Sequence, residues 1–144
     1  MSAVEEVDEL IEQFHLAQGE VIKGNPEPVK RLFSHREDVT LNSPFVPPVR
    51  GWDEVAQVTD RAVAQFRDGE VVSYEIIERH VTPEFAYVVE IERGKAKVGG
   101  SEDITPIALR ATMIFRPEEG AWKIVHRHAD PITTAQPAES VIQE

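Results

Sequence analysis

The chain has 144 residues, with 26 acidic against 15 basic side chains and a formal net charge of -11. That charge works against binding polyanions, so neither nucleic acid nor an anionic membrane surface is expected as a partner. Hydrophobic residues at 41% and charged residues at 28% are ordinary globular values, and the absence of cysteine excludes disulfides and thiolate metal sites. The N-terminus lacks a basic start followed by an apolar run, and no apolar stretch approaches the roughly 20 residues of a membrane span. A soluble, cytoplasmic chain is therefore expected.

Ser2 to Glu5 match a capping box, and behind it Val4, Val7, Leu10, Phe14 and Val21 recur at helical spacing. The spacing predicts a first helix from about Ala3 to Lys23, ended by Gly24. Asn25-Pro26 opens a short second helix that buries Val29, Leu32 and Phe33. Val39-Thr40-Leu41 reads as a short strand. From Pro44 to Gly51, three prolines remove backbone donors and predict a stiff loop. A third helix follows, with Val55, Val58, Ala62 and Phe66 on one stripe, and Asp68-Gly69 ends it.

From Glu70 the period switches to two. Val71–His80 and Phe85–Arg93 read as strands, joined by a turn at Thr82-Pro83-Glu84. A loop from Gly94 to Asp103 leads to a strand at Ile104–Arg116, and Pro117 to Gly120 makes the last hairpin. The final strand, Gly120 to Asp130, alternates so that Trp122, Ile124, His126 and His128 share one face and Lys123, Val125, Arg127 and Ala129 the other. Helices first, then an antiparallel meander, gives an α+β class with helices on one face of a curved sheet. Residues 1–131 are expected to form the domain and 132–144 a polar tail, frayed or lying on a partner.

Three runs carry a family resemblance: Leu32 to Leu41, Pro44 to Trp52, and Trp122 to Pro131. With the element order, they resemble the SnoaL-like branch of the superfamily that includes nuclear transport factor two, ketosteroid isomerase and scytalone dehydratase. The resemblance implies a cone-shaped curved antiparallel sheet with the three helices packed on its concave face. It also implies a pocket for a small apolar ligand between them, and a homodimer formed through sheet surfaces. The superfamily hosts isomerases, dehydratases, cyclases and non-catalytic binding modules, so fold alone does not choose among these. The isomerase tyrosine of the first helix has no counterpart here, because Tyr74 and Tyr87 both fall in predicted strands.

His126 and His128, at the polar end of an apolar strand face, are the expected proton carriers, with Asp130 or Glu90 orienting them. The opposing reading is a pair of histidines hydrogen-bonded to backbone beneath the helices. Phe45 on the stiff loop is a candidate ligand contact or a plug over the core edge. Tyr87, Met113 and Trp122 share apolar registers and are core, or pocket wall where the cone is not filled. His15 lies beside the apolar stripe of the first helix and is a further candidate lining residue. His126-x-His128 has metal-ligand spacing but lacks a firm third ligand, so no metal and no cofactor is expected. Arg110, Arg116, Lys123, Arg127, Glu90 and Glu92 are expected to pair into a ladder on the convex face.

The expected activity is thus cofactor-free proton transfer on an apolar carbonyl compound: isomerisation, dehydration or cyclisation. Its rival is a binding or dimer-forming module of the same fold with no enzymatic activity.

Overall fold

The computed structural model describes residues 1–143; Glu144, the last residue of the expected tail, lies outside them. Three helices accompany a six-stranded sheet, whose first two strands lie between the second and third helices. They are α1 (Ala3–Val21), α2 (Glu27–Leu32) and α3 (Trp52–Val63), with β1 (Thr40–Asn42), β2 (Val49–Arg50), β3 (Phe66–Val81), β4 (Ala86–Val98), β5 (Thr105–Glu118) and β6 (Ala121–Asp130). The strand order is β2-β1-β6-β5-β4-β3. All neighbours are antiparallel except β1 and β6, so the sheet is mixed, and it is not closed. This is the α+β cone with helices on the concave face.

Local chemistry accounts for the element ends. Ser2 caps α1 by accepting a hydrogen bond from the Glu5 amide at 3.1 Å. The Asn25 side chain accepts from the Glu27 amide at 3.2 Å and so opens α2. The last hairpin turns on two residues, Glu119 and Gly120, with φ of 48° and 88°, the left-handed pair that matches strand twist.

Several boundaries differ from the sequence reading. α3 stops at Val63, and Phe66, expected on its apolar stripe, instead opens β3. β3 and β4 are longer than expected, because Gly69 and Gly94 lie within the strands rather than ending them. Both glycines let other atoms pass close: a Cβ on Gly69 would lie 2.5 Å from the Ile22 carbonyl oxygen, and one on Gly94 2.9 Å from that of Glu70. The bare backbone therefore lets α1's end dock on the sheet. The proline-rich loop contains the two-residue strand β2, paired with β1. A short 3-10 turn, Ala138–Val141, lies in the exposed tail.

The core fills the concave side. Val7, Leu10, Ile11, Phe14, Ala17 and Val21 of α1 pack with Val29, Phe33, Val55 and Val58 against Val88, Met113, Phe115, Trp122 and Ile124 of the sheet. Among the described residues no helix is long and apolar enough to cross a membrane.

Candidate functional site

The geometry of the site follows from one extra residue in β6. Phe115 pairs with Ile124 while Ile114 pairs with His126, so Val125 has no partner of its own. A bulge of this kind places two residues opposite one and resets the alternation beyond it. Trp122 and Ile124 face the core, as the alternation predicts. Beyond the bulge the inward residues are Arg127, opposite buried Met113, and then Ala129, opposite buried Ala111.

His126 and His128 therefore face outward, contrary to the expected register. His126 accepts or donates at Nδ1 to the Thr40 hydroxyl at 2.7 Å. The His128 side chain is 49% exposed and lies 3.2 Å from Asp130, which is also bound by Arg110 at 2.7 Å. Burial of the His126 ring, and then the nearby His128, lower its pKa below the ordinary value. Burial works against the Asp130 charge, but the Arg110 and Ile132 hydrogen bonds outweigh it and hold that carboxyl low.

The face that β4 turns inward also differs from the expected one. Its inward register is Ala86, Val88, Glu90, Glu92, Gly94 and Ala96, all buried. Glu90 and Glu92 are thus inside the cone rather than on a convex charge ladder, and Arg127 joins them there. Arg110 and Arg116 do stay on the exposed side, the latter bound to Asp38 through two bonds of 2.7 Å. Tyr87 lies on the outer face, 37% exposed and beside His80, so it is neither core nor pocket wall. Met113 and Trp122 are buried core residues outside the cavity lining.

Inside the cone the charged groups form one network. Arg127 donates from Nη1 and Nη2 to the two Glu92 oxygens at 2.7 and 2.8 Å, and its guanidinium lies 4.9 Å from the Phe14 ring centre. Gln18 of α1 donates to Glu92 at 3.0 Å. His15, one turn earlier, holds Glu90 through Nε2 at 2.8 Å. The His15 ring is stacked on Tyr74 with centres 3.6 Å apart, and the Tyr74 hydroxyl donates to the His15 carbonyl at 3.2 Å. These contacts fix His15, whose side chain is 20% exposed, against a Glu90 that is fully buried.

The two carboxyls titrate in opposite directions. Burial pushes the Glu90 pKa up, the His15 hydrogen bond opposes this, and the neighbouring Glu92 charge adds to the rise. Burial pushes Glu92 the same way, but the Arg127 charge and hydrogen bonds overcome it and leave Glu92 below its usual value. Burial, then the Glu92 and Glu90 charges, drive the Tyr74 phenol far above its ordinary range, so it remains a donor. The Glu90 Oε2 atom is buried without a hydrogen-bond partner among the described residues.

A cavity of about 110 Å³ opens beside this network. Its walls are mainly apolar, including Val21, Val29, Phe33, Leu41, Val63 and Leu109; Glu92, Arg127, Gln18 and Tyr74 give it a polar end. Phe45 lines it from the proline-rich loop, 49% exposed and with its ring centre 6.0 Å from that of Phe66. His15 and Glu90 lie next to that end rather than in the lining. His126, His128 and Asp130 do not line it at all. Among the described residues no three His, Asp or Glu side chains gather as metal ligands do.

The sequence reading missed Arg127, Glu92, Gln18 and Tyr74 as site residues. A signal for two of them was available. The register Ala86, Val88, Glu90, Glu92, Gly94, Ala96 is small and apolar at both ends, which marks an inward face with two acids in its middle. Nothing in the alternation of β6 marks the bulge.

The profile of the SnoaL-like domain matches residues 7–133. No curated protein sequence matches the chain significantly. Among solved structures, the chain is similar to a ketosteroid isomerase-like protein from Erwinia carotovora atroseptica, at 20% identity and a TM-score of 0.74, covering 90% of this chain and 96% of that one. It is also similar to a nuclear transport factor 2-like superfamily protein from Salmonella enterica serovar Typhimurium, at 18% identity and a TM-score of 0.74 over 94% of both chains. A candidate dehydratase of the same fold family from Streptomyces avermitilis shares 20% identity at a TM-score of 0.70, covering 92% and 98%. At such identities these structures speak to the fold, and the profile match to the family: the chain belongs to the SnoaL-like family.

Proposed function

We propose that the protein binds a small, mostly apolar carbonyl compound in the cavity and moves a proton on it without a cofactor, as an isomerase, dehydratase or cyclase does. The observation that carries this reading is the polar end of the cavity. One buried guanidinium faces apolar walls there, backed by a carboxyl whose acidity burial has weakened. A guanidinium has more N–H donors than the two bonds to Glu92 use, so Arg127 can also donate to a carbonyl oxygen. That donation stabilises the charge developing as an adjacent C–H proton leaves. The Glu92 carboxylate lines the cavity and is the group in reach of that proton; Glu90, its pKa raised by burial and His15 in contact, lies behind the wall as the place to hold it afterwards. A cavity of this size suits a single small ring; an apolar cavity of about 150 Å³ in another protein holds benzene.

His126, His128 and Asp130 take no part in this scheme, because they stand on the opposite face of β6. The proposed assembly is a homodimer through that outer face, where Tyr87 is exposed and Ile91 and Ile114 are half-buried beside it.

A second reading, a binding module without turnover, is favoured by one fact: neither Glu90 nor His15 touches the cavity. Deuterium incorporation next to the carbonyl of cyclohexanone or cyclohexenone in D₂O, followed by NMR, decides between them. Exchange catalysed by the wild type, abolished in Glu90→Gln and Arg127→Met variants that still fold, supports the enzyme. Saturable binding with no exchange above the buffer rate supports the binding module.

A further inference from the structure

A second cavity adjoins the first, and its lining is likewise mainly apolar. It has a volume of about 410 Å³ and is lined by residues of α3, the proline-rich loop and the end of β4. Ser43, Phe45 and Ala62 line both cavities, so Phe45 stands at the boundary between them. The outer wall is well supported. Arg67 donates to the carbonyls of Gly99 and Ser101 at 2.6 and 2.8 Å, and the Gly99 amide donates to the Gln65 carbonyl at 2.8 Å. These bonds hold the start of the β4–β5 loop against the end of α3.

The polar side chains of this outer cavity are Arg61, Gln65 and Ser43. Arg61 is exposed and, among the described residues, has no carboxylate partner. Its chain neighbour Asp60 is bound to Lys30 at 2.9 Å. Around the same loop Lys97 is paired with Asp68 and Arg67 with Glu102. Lys23, Arg31, Arg50 and Lys123 likewise have no acidic partner among the described residues, but of these unpaired cations Arg61 alone lines either cavity.

We propose that the two cavities form one bipartite site, in which the inner cavity takes the apolar ring of the ligand and Arg61 binds an acidic group at the end of a flexible tail that passes Phe45. The ligand class is therefore an amphipathic acid, a ring or compact apolar body joined by an alkyl chain to a carboxylate or phosphate. Charge-assisted donation from a guanidinium suits either oxyanion, and Gln65, in the turn just past the end of α3, offers an amide donor in the same lining. The inner network is an unsuitable place for the anion, because Arg127 is already neutralised by Glu92, and a second carboxylate there would sit beside two buried acids. The acidic group is thus directed to the rim, where it remains partly hydrated. This rests on the reading that the inner cavity is a ligand site.

The test uses phenylacetate, phenylbutyrate and phenylhexanoate, each with its uncharged primary amide, titrated by calorimetry against the wild type, Arg61→Gln and Arg127→Met. For the longer acids, the wild type should bind the carboxylate roughly tenfold more tightly than the amide, a preference that weakens with added salt. Arg61→Gln should remove that preference and leave amide binding unchanged, while phenylacetate, too short to reach the rim, shows no preference. Equal binding of acid and amide at every chain length overturns the bipartite site but leaves the inner cavity as a ligand site. An acid preference lost in Arg127→Met and kept in Arg61→Gln overturns it too, by placing the anion inside. Failure of every acid and amide to bind overturns both readings. Arg61 is exposed and unpaired, so its replacement should leave folding intact, which the amide titration itself checks.

Discussion

On the inner face of β6, Arg127 is buried and bound by both oxygens of Glu92; on the outer face, one residue to either side, His126 and His128 are half-buried and exposed. The same strand thus presents ionisable groups to two environments. Inside, Arg127 and Glu92 match each other, His15 holds Glu90, and the carboxyls diverge in acidity. Outside, the histidines have a hydroxyl and a carboxylate for company, and solvent supplies the rest. The difference between these faces is set by the unpaired residue Val125, not by the chemistry of the side chains. A histidine pair that looks catalytic in a list of residues becomes a surface feature when the strand is advanced by one position.

The comparison is broken most severely by removing the inner cation. Arg127→Met leaves Glu92 buried without a counter-charge, and the loss in unfolding free energy should be about 3–5 kcal/mol. Urea denaturation at neutral pH measures it. The double variant Arg127→Met/Glu92→Gln should recover most of the loss. A single variant as stable as the double one would mean that the pair is not desolvated as the fold indicates.

Deleting Val125 is the sharper test of how the faces are assigned. Without it, Trp122, Ile124, Arg127 and Ala129 follow in plain alternation, so both faces keep their present residues while the bend is lost. The deletion should cost no more than about 2 kcal/mol, since it removes one buried valine and strains a neighbouring pairing. Near-UV circular dichroism should retain the tryptophan signal. Complete unfolding would show that the bend, rather than the alternation, holds Arg127 in place.

How much of this was legible beforehand follows the same line. The helices and the meander could be read because caps, prolines and period-two runs are local signals. The family resemblance added the cone. The inward acids of β4 could have been found from the small residues flanking them. Arg127 could not, because a bulge depends on how two strands pair, and no single strand's alternation encodes it. Phe66 reads as part of α3 for a similar reason: its spacing fits the helical stripe, but the chain turns at Ala64-Gln65 to start the sheet. His15 reads only as a residue beside the core stripe, yet its stack on Tyr74 joins α1 to β3 across 59 residues of chain.

A smaller effect separates the two inner carboxyls by pH. Glu90 has a higher pKa folded than its ordinary value of 4.5, so the folded state holds its proton more tightly than the unfolded chain. Its contribution therefore favours folding at low pH and is lost as pH rises through 4.5 towards the folded value. Glu92, with a lowered pKa, does the reverse, and its contribution is lost as pH falls below 4.5. Glu90→Gln should remove the first trend and leave the second, so the variant gains on the wild type as pH rises. Urea midpoints across pH 4 to 8, roughly the span bracketing ordinary carboxyl and histidine values, test the sign. A variant whose midpoint falls further behind with rising pH would place the proton elsewhere.

The smallest expected effect belongs to the outer histidines. His126 has a lowered pKa when folded, so it binds protons less readily than in the unfolded chain, and its stability contribution is lost as pH falls through 6.5. His126→Gln should remove that slight acid sensitivity and retain a hydrogen bond to Thr40, and His128→Gln should change little. Each should lie within about 0.5 kcal/mol of the wild type at pH 8, because the rings contribute nothing to the buried network. Deuterium exchange into cyclohexanone is the decisive readout. The outer face is separated from the cavity by the sheet itself, so both variants should exchange at the wild-type rate. A rate that collapses in either one, with ligand binding intact, would put the chemistry on the side of β6 where the exposed imidazoles are, and the buried Glu90–Glu92–Arg127 network would then be a structural feature only.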